Sequence, residues 1–139
     1  MIYGRNSKGN YPLLSKLAQV LPVCPDVENE RSMLYVENLA EFVRLLTDSG
    51  LGGIFFPQNG EYTRTGEMIR LIGKTKGRKI ALWKILNPAV YLAAKLPGKP
   101  GVLMNKAFGS LTVDQSLSRR DFDGYQRYSL EESIEKTER

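Results

Sequence analysis

The chain has 139 residues, 42% of them hydrophobic and 25% charged, which is typical of one globular domain with its own core. It contains one cysteine, Cys24, and no histidine, which excludes a disulfide framework, cysteine-based zinc sites and Ser-His-Asp or Cys-His catalysis. No apolar run approaches the roughly 18 residues that a transmembrane helix needs. With no secretory signal recognisable either, we expect a cytoplasmic protein without a transmembrane segment.

The net charge of +5 is unevenly distributed along the chain. Between Arg64 and Lys106 there are ten lysines and arginines and one acid, Glu67, so this stretch has a net charge of +9. Such a stretch indicates an anionic partner, a basic surface for nucleic acid or lipid, or a contribution to solubility. Residues 74–79 carry much of this charge but include no aromatic residue, which favours a solvated loop, and we expect no nucleic-acid partner.

The first half of the chain predicts alternating short strands and helices. In chain order, the pattern predicts a strand end over 1–4, a helix over 11–21, a strand over 31–36, a helix capped by Asn38, and a strand over 53–56. The core stripe of the second helix is predicted to be Leu39, Phe42, Val43 and Leu46, with Gly50 as its C-terminal stop.

The second half continues the alternation. The pattern predicts a helix capped by Thr63 or Thr65, a loop over 74–79, a strand over 80–83, a helix opened by Asn87 and Pro88, a break over 97–101, a short helix or turn over 102–108, a short helix capped by Asp114, and a closing helix to Thr137. Ser129 and Glu132 form a capping box that opens the last helix. The predicted fold class is α/β, a small mixed domain with few short strands and several helices.

Two features of the basic stretch have competing interpretations. Tyr91 and Lys95 have the Y-x-x-x-K spacing in which a lysine lowers the pKa of a catalytic phenol. No glycine-rich nucleotide loop precedes them, so we interpret them as a core tyrosine and an exposed lysine. The segment from Trp83 to Leu96 is amphipathic with lysines at its flanks, and we expect it to pack within its own domain. A membrane surface or a partner protein is the alternative.

Arg31 enters a predicted short strand and is the most informative single residue. At the end of a sheet, its guanidinium fork is able to bind a phosphate bidentately. The same position is compatible with a surface arginine that pairs with Glu28 or Glu30. The residues alone leave both interpretations open.

Several segments in order resemble one family. Met1–Gly4, Arg31–Ala40, Gly53–Asn59, the Thr-capped helix and Ser129–Thr137 resemble the C-terminal part of NAD-dependent nucleotide-sugar epimerases and dehydratases, which are extended short-chain dehydrogenases. That family has a strand ending in Tyr-Gly, an Arg-x-x-x-Tyr-Val-x-Asp segment and a closing helix that begins Ser/Thr-Leu. The resemblance covers nearly the whole chain and is weakest over residues 84–110.

The resemblance implies a single C-terminal substrate-binding domain over residues 1–139, with residues 1–4 ending a strand of a Rossmann sheet. The chain would lack the Rossmann half, which in this family holds NAD and the catalytic Tyr and Lys. It would therefore be a fragment of a longer protein, similar to the UDP-glucose 4-epimerase type and inactive alone. Its partners would be a nucleotide sugar and the missing half. An uncovered sheet edge at residues 1–3 would also favour self-association.

The resemblance assigns binding roles but no catalytic residue and no metal. Arg31 matches the arginine that binds the diphosphate, and Tyr3 and Gly4 match the turn beside the junction of cofactor and substrate. Val23 and Pro25 match the loop that packs on the nucleotide base, usually uracil. Asn38 replaces the usual Asp, and the second diphosphate arginine has three candidates, Arg119, Arg120 and Arg127.

Two other functions remain as alternatives. One is a basic binding module for RNA or an anionic membrane surface, which the +9 stretch favours. The other is a member of the same family that has lost catalysis and has a regulatory role.

Overall fold

The computed structural model describes residues 1–119, without the side chain of Arg119, and residues 122–139. These residues form a small mixed α/β domain, 51% helical and 10% strand, as predicted. The strands are β1 (Ile2–Tyr3), β2 (Val23–Pro25), β3 (Leu34–Tyr35) and β4 (Ala81–Trp83). The helices are α1 (Tyr11–Val20), α2 (Val36–Ser49), α3 (Thr65–Thr75), α4 (Asn87–Ala94), α5 (Lys99–Phe108), α6 (Gln115–Arg119) and α7 (Leu130–Glu138), with a 3-10 turn at Lys84–Leu86.

The strands form two small parallel sheets. β1 pairs with β3, with Tyr3 opposite Tyr35, and β2 pairs with β4, with Cys24 opposite Leu82. Parallel strands require a crossover connection, and α1 lies in the connection from β1 to β3. The strand β2 was not predicted, because Pro22 and Pro25 in this segment indicated only the end of a helix.

The core lies around α3, which packs against α1 and α7. Tyr3, Ile72 and Ile134 are fully buried there. Two glycines of α3 allow the sheet to approach closely: a Cβ at Gly66 would lie 2.7 Å from the Pro25 carbonyl oxygen, and one at Gly73 would lie 2.6 Å from Ile80 Cδ1. The sheet β2–β4 therefore depends on small residues of α3.

The predicted N-cap at Asn38 is wrong. α2 begins at Val36, and Asn38 lies inside the helix with no exposed surface. Its side-chain oxygen accepts the backbone N–H of Tyr128 at 3.1 Å, and its amide nitrogen donates to Asn59 Oδ1 at 3.2 Å and to the Tyr128 carbonyl at 3.2 Å. Asn38 therefore joins α2 to the segment before α7, since a buried amide needs several partners.

The predicted strand over 53–56 is also wrong. Residues 51–62 form neither helix nor strand, and Ile54 is 78% exposed. No strand in the described part of the chain pairs with this segment. Its later backbone N–H groups bond elsewhere: Gln58 N donates to the Tyr125 hydroxyl and Asn59 N to the Met33 carbonyl. Tertiary partners thus replace strand pairing here.

Several helix boundaries and faces also differ from the prediction. α3 begins at Thr65 without a side-chain cap, because the Thr65 hydroxyl is buried and donates to the Ala107 carbonyl at 2.6 Å. Asn87 is the first residue of α4, not its cap, and its amide donates to the Asp26 carbonyl. Val43 is half exposed, so it does not belong to the core stripe of α2. α3 extends to Thr75, and α5 begins at Lys99 inside the predicted break.

The capping box at Ser129 is confirmed, because both reciprocal bonds with Glu132 are present. Replacing Ser129 by Ala should lower the free energy of unfolding by about 1 kcal/mol, since one N–H of the first turn loses its acceptor. Ser129→Asp keeps an acceptor and should change stability much less. Urea unfolding of the two variants compares them, and equal losses would contradict the capping role.

No helix among the described residues is long and apolar enough to cross a membrane.

Candidate functional site

The Arg31 side chain is anchored at the end of α5. Its Nη1 donates to the carbonyl oxygens of Lys106 at 2.8 Å and Gly109 at 2.9 Å. Exposed carbonyls at the C-terminus of a helix stabilise a cation. Among the described residues no carboxylate pairs with Arg31: Glu28 instead binds Lys84 Nζ at 3.0 Å. The interpretation of Arg31 as the ion-pair partner of Glu28 or Glu30 is therefore wrong.

The position of Arg31 follows from the backbone around it. Arg31 and Thr63 exchange two backbone hydrogen bonds of 3.1 Å, and the neighbouring residues Glu30 and Ser32 bond the backbone of Leu111. The segment before β3 is thus held between two distant parts of the chain. Partial burial lowers the pKa of Arg31, but a guanidinium stays protonated at neutral pH.

Arg31 lies between two cavities. One is an apolar cleft of about 30 Å³ among α1, α3 and α5, which is too small for an organic ligand. The other is an open groove of about 550 Å³, here called the Arg31 groove. It is lined by Asn10, Arg31, Val102, Asn105, Lys106, Gly109, Ser110 and Leu111. This lining includes two cations and no acid, so the groove favours an anionic ligand of small-molecule size.

The other predicted site residues lie elsewhere. Tyr3 is fully buried in the core, where its hydroxyl is 2.6 Å from Ser133 Oγ and accepts the Asn59 amide at 3.0 Å. Gly4 is buried because its backbone lies against the Val36 side chain. Tyr3 thus joins β1 to α7, Gly4 packs against α2, and neither residue lines the Arg31 groove.

Val23 and Pro25 lie at the two ends of β2, half buried, and they do not line the Arg31 groove either. Of the five residues assigned to binding, the structure therefore places only Arg31 there. Tyr91 is 54% exposed, so its interpretation as a core residue is wrong, whereas Lys95 is exposed as expected. Both residues are exposed, Tyr91 within α4 and Lys95 at its C-terminal end, so the pair lacks the enclosed environment that perturbs the pKa of a catalytic group.

Of the three arginines that the resemblance offers as a second diphosphate-binding residue, only Arg127 has a described side chain. Arg127 donates to Glu41 at 2.6 Å on the exposed side of α2, away from the groove. Arg120 and the side chain of Arg119 lie outside the described residues. Lys106 lines the groove beside Arg31 but was not singled out in the sequence. In the sequence, Lys106 stands out only as one of the lysines of the basic stretch. Its proximity to Arg31 could not be predicted, because 75 residues separate the two.

A second, larger groove of about 680 Å³ lies between α3 and the start of α7. Its cations are Arg70, Lys74, Arg78 and Lys79. Two of them are already neutralised, since Arg70 pairs with Glu67 at 3.0 Å and Lys74 with Glu131 at 2.6 Å. A third acid, Glu61, also lines this groove, so it is less suited to an anion than the Arg31 groove.

Nucleophilic chemistry has little support in the described residues. Cys24 is fully buried, and burial, with a smaller contribution from Asp26, raises the pKa of its thiol to about 11. The thiol is therefore protonated at neutral pH and inaccessible to a substrate. No group of three or more Asp, Glu or Cys side chains in the described part of the chain is arranged to hold a metal ion.

No family model, no curated protein and no solved structure matches this chain. The Arg31 groove and the resemblance found in the sequence are therefore the two features that point to a function.

Proposed function

We propose that this chain is the nucleotide-sugar-binding part of an NAD-dependent sugar epimerase or dehydratase, and that the Arg31 groove receives the diphosphate. One observation carries the proposal: the residues Arg31 and Lys106 line the same open groove, and no acid lines it. Arginine binds phosphate bidentately, and a lysine in the same groove adds a second positive charge for a diphosphate.

The arginine is positioned in advance for this role. Its Nη1 is fixed by two carbonyl oxygens, while Nε and Nη2 form no hydrogen bond to the described residues. A guanidinium has five N–H donors, so donors remain for phosphate oxygens after the two anchoring bonds. Because the anchor holds the side chain still, little conformational entropy is lost when a ligand binds.

Neutral donors around the cations would complete the contacts to a nucleotide sugar. Asn10 and Asn105 contribute amides to the lining and Ser110 contributes a hydroxyl. The Asn105 amide nitrogen is already engaged with the Ala94 and Gly101 carbonyls, which leaves its oxygen as an acceptor for a sugar hydroxyl. The chain would thus bind and orient the substrate.

NAD would supply the hydride acceptor for sugar oxidation, but the residues of this chain do not fit it. The described sheets have two strands each, and the turn from β1 to α1, residues 4–10, has two glycines but not the G-x-G-x-x-G spacing of a dinucleotide-binding loop. The glycine-rich stretch at 50–53 ends α2 and leads into the irregular segment 51–62. We therefore assign NAD to the Rossmann half, and expect the chain to have no turnover alone.

Titration calorimetry with UDP-glucose, UDP and NAD tests the proposal. We expect binding of UDP-glucose and UDP and none of NAD. Lys106→Ala should weaken UDP binding about tenfold or more, because a charge-assisted hydrogen bond contributes roughly 1.5–3 kcal/mol. Lys99→Ala is the matched control, since Lys99 is an exposed lysine of the same helix outside the groove.

Arg31→Ala should abolish UDP binding, but it also removes the two bonds that hold the end of α5. Its urea unfolding curve therefore accompanies the titration, and Arg31→Lys separates charge from fork geometry. Absence of UDP binding to the folded parent chain, or equal affinities of the Lys106→Ala and Lys99→Ala variants, would contradict the proposal.

A further inference from the structure

The helical hairpin formed by α4 and α5 is poorly covered by the rest of the domain. Across residues 81–110, only Val90 and Gly101 are buried. The sequence of α4 is NPAVYLAA, without a charged residue on any side. A helix that is apolar all round is normally buried in protein or in lipid, so this exposed one lacks its usual cover.

The hairpin is nevertheless a defined unit. Gly101 lies against the Leu96 carbonyl, and the Asn105 amide donates to the Ala94 carbonyl at 2.9 Å. Large apolar side chains of α4, and of the segments directly before and after it, nevertheless remain exposed. The hairpin surface, as we define it, consists of Trp83 (51% exposed), Ile85 (80%), Tyr91 (54%), Leu92 (69%) and Leu96 (50%).

The charged residues of the hairpin and of the turn before it are all lysines, although Asp26 and Glu28 of a distant segment lie beside Lys84. Lys84, Lys95 and Lys99 are exposed next to these apolar residues, and no Asp or Glu occurs between Met68 and Val113. Lys84 is partly neutralised by Glu28 at 3.0 Å, whereas Lys95 and Lys99 form no ion pair with the described residues. An apolar surface with exposed lysines complements a bilayer that contains anionic lipid.

The residue types also favour a lipid interface. Tryptophan and tyrosine concentrate at the boundary between headgroups and acyl chains, and lysine stems extend from apolar surroundings to the headgroups. Lysine, by contrast, is depleted in the interfaces between proteins. The combination of Trp83, Tyr91 and unpaired lysines therefore favours lipid over a protein partner.

We infer that the hairpin surface docks this chain peripherally on an anionic lipid bilayer. α4 has 8 residues and α5 has 10, so at about 1.5 Å per residue neither helix spans the roughly 30 Å hydrocarbon core. The hairpin would lie in the interface with its side chains inserted at the level of the headgroups. This inference is independent of the proposed nucleotide-sugar function, because its residues do not line the Arg31 groove.

The only tryptophan of the chain reports directly on this contact. We expect Trp83 emission to shift to the blue with vesicles of phosphatidylcholine and phosphatidylglycerol, and brominated lipid to quench it. The chain should also float with these vesicles, and vesicles of phosphatidylcholine alone should bind at least tenfold more weakly. High salt should weaken the binding.

Matched variants keep the test specific. Ile85→Asp and Leu92→Asp replace exposed residues, so the fold should be retained, and vesicle binding should fall at least tenfold. Val20→Asp is the control, because Val20 is 73% exposed on α1 and lies outside the hairpin. Lys95→Glu together with Lys99→Glu should remove the preference for anionic lipid.

Two results would overturn the inference. One is the absence of a spectral shift and of flotation with anionic vesicles. The other is a concentration-dependent oligomer in light scattering that shifts Trp83 emission without lipid, since a second copy of the chain would then cover the surface.

Discussion

Above about pH 9, the free energy of unfolding is expected to fall steeply with rising pH, because the core holds several acids in their neutral form. Burial raises the pKa of the Cys24 thiol to about 11 from an ordinary value of 9.0. Burial also raises the pKa values of the Tyr3 and Tyr11 phenols above their ordinary value of 10.0. For Tyr11, the nearby Glu138 carboxylate adds to the effect of burial.

The direction of this effect follows from proton linkage. The unfolded chain releases these protons at lower pH than the folded chain, so alkaline pH favours unfolding. The stabilisation is complete below pH 9 and is lost as the pH rises from the ordinary values towards the folded ones. Each such group steepens the slope by up to about 1.4 kcal/mol per pH unit. Urea unfolding at intervals from pH 7 to 11.5 measures how the free energy of unfolding changes with pH.

Tyr11→Phe isolates the contribution of the Tyr11 phenol to the pH dependence of stability. The Tyr11 hydroxyl is buried and has no hydrogen bond of ordinary geometry to the described residues, and its ring stacks on Tyr3 with centroids 5.4 Å apart. Phenylalanine keeps the stack, so stability at pH 7 should change by less than about 1 kcal/mol. Above pH 10 the slope should become shallower by up to about 1.4 kcal/mol per unit.

A variant without the Cys24 thiol tests which group causes the first fall in the free energy of unfolding above pH 9. Cys24→Ala should remove the slope between pH 9 and 10 and make the slope between pH 10 and 11 shallower, leaving the part that the buried phenols cause. If both variants lose stability with rising pH as steeply as the parent chain does, surface groups cause the loss, and not the buried thiol and phenols.

Asn59→Ala is expected to lower the free energy of unfolding by about 3 kcal/mol. Asn59 Oδ1 accepts the backbone N–H of Tyr35 at 3.0 Å and the Asn38 amide at 3.2 Å, and Asn59 Nδ2 donates to the Tyr3 hydroxyl at 3.0 Å. Without this side chain, a buried backbone N–H and a buried amide lose a partner. Each loss costs about 1–3 kcal/mol, and the side chain of alanine replaces neither bond.

Urea unfolding at pH 7 measures this effect, with Gln19→Ala as the control on the exposed side of α1. The control should stay within about 0.5 kcal/mol of the parent chain. A loss below about 1 kcal/mol for Asn59→Ala, with an unchanged denaturant slope, would mean that the network does not hold the irregular segment to the sheet.

Features that depend on neighbours in sequence were predictable. Apolar spacing predicted the bounds of α1 to within one residue. The Ser-x-x-Glu spacing of Ser129 and Glu132 predicted the start of α7. Gly50 ends α2 in the left-handed conformation, as its position indicated. Capping boxes and left-handed stops are formed by residues within one turn of each other, so no distant contact is needed to define them.

The errors have a common cause in distant polar partners. Asn38 and Thr65 both have side chains that favour capping, yet each is buried and bonds an element far away in the sequence. Gly53–Phe56 has strand-forming residues, but none of the described strands pairs with it. Sequence patterns describe what a residue does locally, and a buried network overrides that preference when several bonds are formed together.

For the candidate site, the sequence was enough to place Arg31 just before β3 and to show that the chain has neither histidine nor a glycine-rich nucleotide loop. The anchoring of Arg31 at the end of α5, the position of Lys106 in the same groove and the burial of Tyr3 in the core became visible only in the tertiary structure. The tertiary structure also decided that the apolar hairpin stays exposed. The physical reason is that grooves and uncovered surfaces arise where distant segments meet or fail to meet, and no local spacing records those contacts.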